Sequence, residues 1–183
     1  MTSLTSLTSR VLIVLTLAAL PLAGNAQAAD TTNTSTAKAP APQLQAEVFK
    51  SPTCGCCDGW VEHLQSAGIH TQVHNQSDAD LNATKIKFAL APKHQSCHTA
   101  VIDDYIFEGH VPATSIQQFL TNPPAGALGL TVPGMPVGSP GMEMGGRYDG
   151  YDVLQLNADG STQVFQSISS EQSATMHRSA AAQ

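Results

Sequence analysis

Sulfur is the chain's strongest chemical signal. Three of its four cysteines fall within four residues, Cys54-Gly55-Cys56-Cys57, and the fourth, Cys97, stands beside His98. A free cysteine is commonly a small buried hydrophobe, but three at one turn exceed what core filling requires. They concentrate soft, ionisable donors, which suits thiol redox chemistry or soft-metal ligation. Adjacent Cys56 and Cys57 bridge each other only under strain, and Cys54 and Cys56 are badly spaced; Cys54 and Cys57 form the comfortable local pair. As a redox pair, Cys54 is the nucleophile and Cys57 resolves, but Cys56 would compete for the mixed disulfide. Four thiolates can also hold a tetrahedral zinc, although structural zinc sites usually separate paired cysteines by two or more residues. Thiolates bridging several Cu(I) ions tolerate closer spacing, and Cu(I) selects thiolate and thioether. Met135, Met142 and Met144 offer thioethers in a Pro/Gly-rich loop. His98, next to Cys97, is the best-placed outer-shell histidine, and His110 is a further candidate.

The surrounding pattern predicts how these residues are positioned. Ala46 to Lys50 reads as a short strand. Cys57, Trp60, Val61 and Leu64 follow helical spacing, so a helix is expected from Cys57 to Ala67, stopped by Gly68. Ile69 to His74 alternates as a strand with Ile69, Thr71 and Val73 on one side, and Asp78 to Leu90 reads as a second helix. Thr99–Ile102 and Tyr105–Glu108 form a hairpin across Asp103-Asp104, and Pro112 opens a third helix. The order β-α-β-α-β-β-α, with Cys54-x-x-Cys57 at the first strand-to-helix junction, gives an α/β, thioredoxin-like expectation. In such a fold the segment before the third strand faces the C-x-x-C turn. Redox members place a proline there; this chain has Ser96-Cys97-His98-Thr99. Asn122 to Gly146 is expected to be a loop with neither helix nor central strand. A C-terminal β-hairpin is expected from Asp152–Leu156 and Thr162–Gln166.

The ends are expected to lie outside the fold. Arg10, the apolar run Val11–Leu22 and Ala26-Gln27-Ala28 form a signal-peptide pattern over residues 1–28, followed by a flexible linker over 29–44. The domain spans 45–167, and a Ser/Ala/Gln-rich tail, 168–183, is expected to be disordered. Export places the thiols in an oxidising compartment. Loss of Arg10 leaves seven Lys and Arg against fourteen Asp and Glu, a net charge of −7. An acidic chain without a basic run has no nucleic-acid footprint. Nothing after the signal segment is apolar and long enough to insert in a membrane.

Four ordered segments carry a family resemblance. They are Lys50-Ser51-Pro52-Thr53-Cys54-Gly55-Cys56-Cys57 with Trp60-Val61-Glu62-His63-Leu64; Gln95-Ser96-Cys97-His98-Thr99-Ala100; Glu108-Gly109-His110-Val111-Pro112-Ala113; and the run from Val132 to Glu143. Over about Ala46 to Phe165 the chain resembles the CopG-like copper-resistance family of small exported bacterial proteins. The resemblance implies a thioredoxin-like fold and a periplasmic copper role. It implies Cys54, Cys56, Cys57 and Cys97 as Cu(I) thiolates, bridging a cluster, and marks Met135 and Met142 as parts of the family signature. Met144 departs from it. Storage, delivery to another periplasmic copper-handling protein and Cu(I)/Cu(II) redox conversion, which would make the protein a copper oxidoreductase, are all compatible with it. A thiol–disulfide oxidoreductase using Cys54 and Cys57 and a four-cysteine zinc module stand as alternatives.

Overall fold

The computed structural model describes residues 43–180, with side chains through Arg178. The expected signal peptide lies outside these residues, as does the expected linker apart from its last two positions. Strands and helices follow as β1 (Gln45–Lys50), α1 (Gly55–Ser66), β2 (His70–Asn75), α2 (Asp78–Lys87), β3 (His98–Ile102), β4 (Tyr105–Gly109), α3 (Ala113–Thr121), β5 (Ala127–Val132), β6 (Tyr151–Asn157), β7 (Thr162–Ile168) and α4 (Ser170–Ala180). The fold is mixed α/β, with the expected β-α-β-α-β-β-α order at its start. All strands join one sheet in the order β2-β1-β3-β4-β5-β6-β7. β1 pairs in parallel with β2 and β4 with β5, and the other neighbours are antiparallel.

Local chemistry explains the elements that carry the site. α1 begins at Gly55, two residues before the apolar face announces it, with Cys54 as its N-cap. Its Trp60 and Leu64 are fully buried in a core shared with Val48, Ile102, Phe107, Phe119 and Leu130. The Trp60 Nε1–H donates to the Val111 carbonyl at 2.8 Å, so the ring is both packed and satisfied. α2 is capped by Ser77, whose hydroxyl oxygen accepts the Asp80 N–H, and it carries Asp78 and Asp80 in its first turn and Lys85 and Lys87 in its last. This charge order suits the helix dipole. No helix among the described residues is long and apolar enough to cross a membrane.

Three expectations change. The stretch expected as loop from Asn122 to Gly146 contains β5, an interior strand between β4 and β6. Gly129 to Val132 are all buried, Leu130 and Val132 on one face and Thr131 on the other, and this enclosure outweighs the flanking Pro and Gly that marked the region as loop. The irregular part begins at Pro133. The tail expected to be disordered from 168 instead forms α4, with Ser173 buried and Met176 packed on the core. Side-chain hydrogen bonds between Ser169 and Gln172 start this helix, a capping arrangement with no apolar signature in sequence. Finally, β2 has no buried face: Val73 is exposed, and Ile69, just before the strand, is the residue that enters the core.

Candidate metal centre

The site forms where two chain segments meet. Cys54, Cys56 and Cys57 occupy the turn from β1 into α1, and Cys97 immediately precedes β3. β1 and β3 are paired antiparallel, with Lys50 opposite His98, so the end of one strand lies beside the start of the other. That register brings Cys97 to the turn. One donor atom from each of the four cysteines lies within 4.8 Å of the others. Cys54 and Cys57 are joined in a disulfide, while Cys56 and Cys97 are free. The Cys56 sulfur stands 3.4 Å from that of Cys54 and 3.8 Å from that of Cys97. The Lys50 ammonium at the end of β1 stands 2.8 Å from the Asp58 carboxylate on α1.

Two histidines join the Cys97 side. His110 Nε2 is 3.1 Å and His98 Nδ1 3.3 Å from the Cys97 sulfur, and Cys97, His98 and His110 form a second group of mutually close donors. His110 Nδ1 lies 2.8 Å from the Pro140 carbonyl. Only an N–H can face that oxygen, so the neutral ring turns its Nε2 lone pair toward the Cys97 thiol. His98 is buried between Trp60, at 4.3 Å between ring centres, and the edge of His110. Its Nε2 is buried without a hydrogen-bond partner among the described residues.

Burial keeps these groups neutral. It pushes the Cys97 thiol up to about 12, helped by the neighbouring Cys56. It also holds His98 well below the usual imidazole range, with His110 and Lys85 adding to the effect, and it lowers His110. A soft cation that displaces the thiol proton therefore finds lone pairs on sulfur and nitrogen already converging. Two thiolates bonded at about 2.3 Å to one tetrahedral ion are about 3.8 Å apart. The Cys56–Cys97 separation already meets that spacing.

The loop after β5 reaches the site through its backbone. Besides the Pro140 carbonyl on His110, Gly141 packs against the first turn of α1. At φ +84° a Cβ there would collide with the Cys56 carbonyl oxygen and stand 2.7 Å from Trp60 N. Of the methionines flagged in sequence, Met135 is half-exposed at 52% and Met144 at 59%, while Met142 is intermediate.

Sequence reasoning missed the support beneath Cys97. Glu108 on β4 is fully buried, with its carboxylate 2.5 Å from the Lys85 ammonium on α2. Burial raises the Glu108 carboxyl, and Lys85 draws it back down. A usable signal was present: Glu108 follows Ile106 and Phe107 in an apolar strand, and Lys85 lies four residues after Leu81 on the buried face of α2. Two charges at inward positions imply a pair.

A family model described as "Protein of unknown function, DUF411" matches residues 94–142. No curated protein matches the chain. A solved structure titled "Copper resistance protein copG- Form 2" is 41% identical, with a TM-score of 0.64, covering 68% of this chain and 98% of its own. A second, "Copper resistance protein copG- Form 1", is 40% identical at a TM-score of 0.64, covering 69% and 98%.

Proposed function

The chain belongs to the CopG family of copper resistance proteins, and from that premise we propose that it is a periplasmic copper-binding protein of copper homeostasis. In this reading Cys54, Cys56, Cys57 and Cys97 hold Cu(I) in a thiolate site that bridges more than one ion. The observation that carries it is the convergence of four sulfurs from two segments within 4.8 Å. A dithiol exchanger needs two of them; a soft-metal site uses all four. The disulfide between Cys54 and Cys57 is the oxidised form of that pair. Its two-electron reduction by a dithiol yields two further thiols and completes the donor set. Cys97 gives up its proton to solvent on binding, and the His110 Nε2 lone pair, 3.1 Å from that sulfur, stays free to face the metal. His98 and His110 add nitrogen at the edge of the sulfur cluster, and Met135 and Met142 add thioether donors from the loop. The mixed S/N donor set beside Cys97 accommodates both copper valences, which supports Cu(I)/Cu(II) conversion as an extension of the binding role.

Anaerobic Cu(I) titration of the reduced protein tests this reading. More than one copper per chain is expected, with a lower number for Cys97→Ser. A reduced chain that stays metal-free overturns it.

One observation favours a second reading. The Cys54–Cys57 disulfide at a helix N-terminus, with the Cys56 sulfur 3.4 Å from Cys54, is a thiol–disulfide exchange geometry. That reading requires Cys56→Ser and Cys97→Ser to keep exchange activity with a dithiol partner. An inactive wild-type protein in that assay removes it.

A further inference from the structure

β4 runs into Glu108-Gly109-His110, and each of these three residues touches the segment that carries Cys97. The Glu108 Oε1 accepts the Ser96 backbone N–H at 2.6 Å and the Lys85 ammonium at 2.5 Å, and its Oε2 accepts the Thr99 hydroxyl at 2.6 Å. Lys85 also donates to the Thr99 hydroxyl oxygen at 3.0 Å. Gly109, at φ +71°, leaves the space that Ser96 fills: a Cβ there would stand 2.5 Å from the Ser96 Cβ and 2.6 Å from the Val132 carbonyl oxygen. His110 faces the Cys97 sulfur itself. From the other side, the Ser96 hydroxyl donates to the Gly134 carbonyl of the loop. Three consecutive residues thus grip the Ser96-Cys97 segment at backbone, Cβ and sulfur.

Fold stability does not account for the carboxylate. A buried ion pair is often replaced by apolar residues of similar volume at no cost in stability. What Glu108 supplies and an apolar side chain cannot is an acceptor for the Ser96 N–H, one residue before the fourth sulfur. We propose that Glu108, anchored by Lys85, is a positioning residue that sets Cys97 at the sulfur cluster and so decides whether the site presents four thiolates or three. Its consequence for metal rests on the copper reading above; the placement of Cys97 does not.

Two double variants isolate the acceptor. Both remove the ion pair and leave no orphan charge: Lys85→Met/Glu108→Gln keeps an oxygen facing Ser96, and Lys85→Met/Glu108→Leu does not. The first readout is the alkylation rate of Cys97 in the reduced, metal-free protein, followed by mass spectrometry. The Gln form is expected within about twofold of wild type and the Leu form faster by about tenfold or more, the population change that accompanies a buried N–H left without its acceptor. The second readout is anaerobic Cu(I) loading: the Leu form should match Cys97→Ser and the Gln form should match wild type. Val153→Ala, a core truncation on β6, which does not pair with β4, should leave the Cys97 rate within about twofold of wild type at temperatures well below unfolding. Equal rates in the two doubles overturn the proposal, as does an equal rise in Val153→Ala. So does wild-type copper loading in the Leu form. If the wild type itself takes up no Cu(I), the copper reading fails while the alkylation contrast still decides the clamp.

Discussion

The two halves of the sulfur site are built in opposite ways. Cys54, Cys56 and Cys57 are held by their own neighbours: a strand end, a turn and the first turn of α1, tied by the Lys50–Asp58 pair and the disulfide. Cys97 has no such local frame. It is fixed by Glu108 and His110 near the end of β4, by Lys85 from α2, and by the loop that follows β5. One half is a local motif and the other is an assembly of distant segments. Damage to the assembly should therefore cost more than damage to the motif.

The largest expected effect is on the Cys97 side. Glu108→Ala strands the Lys85 ammonium, 6% exposed, without its carboxylate, and leaves the Ser96 N–H and Thr99 hydroxyl without their acceptor. Breaking one side of a buried pair costs about 3–5 kcal/mol. Denaturant titration should show a loss in this range; a loss under about 1 kcal/mol would place the pair among interactions that water readily replaces.

Acid should act next, and on both halves. Burial, with His177 assisting, lowers the His63 pKa to about 4, and the neutral ring accepts the Ala113 N–H at 3.0 Å. A depressed histidine pKa means that the unfolded chain takes up the proton first. The contribution is complete above about pH 6.5 and is lost as pH falls toward 4, by up to about 3 kcal/mol. His98 and His110, also lowered, act in the same direction beside Cys97. His63→Gln keeps an acceptor for Ala113 without a titrating ring. It should flatten the dependence of thermal stability on pH between 6.5 and 4 only in part, and complete flattening would assign the acid response to α1 alone.

The same contrast explains what was legible in the sequence. The motif half could be read because its residues are contiguous: three cysteines, a breaker at Ser51-Pro52-Thr53 and the helical spacing of Trp60, Val61 and Leu64. The importance of Cys97 was visible from its type, and its proximity from the β-α-β order. The clamp was legible only as two inward charges, Lys85 and Glu108; that they meet at Ser96 and Thr99 was not, because the four residues are spread over two strands, a helix and a loop, and no period links them. β5 was masked by its Pro- and Gly-rich surroundings, although Leu130 and Val132 alternate as buried strand residues do. α4 was masked by composition, since its packing rests on Ser173, Met176 and His177 rather than on an apolar stripe.

The disulfide offers an intermediate test confined to the motif half. Cys54 and Cys57 enclose a very short loop, and closing it removes chain entropy worth about 2 kcal/mol in the unfolded state. Cys54→Ser/Cys57→Ser should lower the stability of the oxidised, metal-free protein by about that amount. It should leave Cys97 alkylation unchanged, since the Cys97 clamp touches neither residue. A faster Cys97 in this variant would show that the two halves hold each other in place.

The smallest effect should come from Asp58→Ala. The pair it breaks resembles Lys85–Glu108 on paper, with Lys50 only 3% exposed, but the Asp58 side chain is 59% exposed and water stands ready to take its place. The carboxylate also sits in the first turn of α1, where a negative charge is worth a few tenths of a kcal/mol against the helix dipole. Together these terms come to about 1 kcal/mol or less, and salt should reduce them further. A loss as large as that of Glu108→Ala would erase the distinction between a locally framed turn and an assembled one, because it would mean that the Cys54–Cys57 turn also depends on a buried charge to hold its shape.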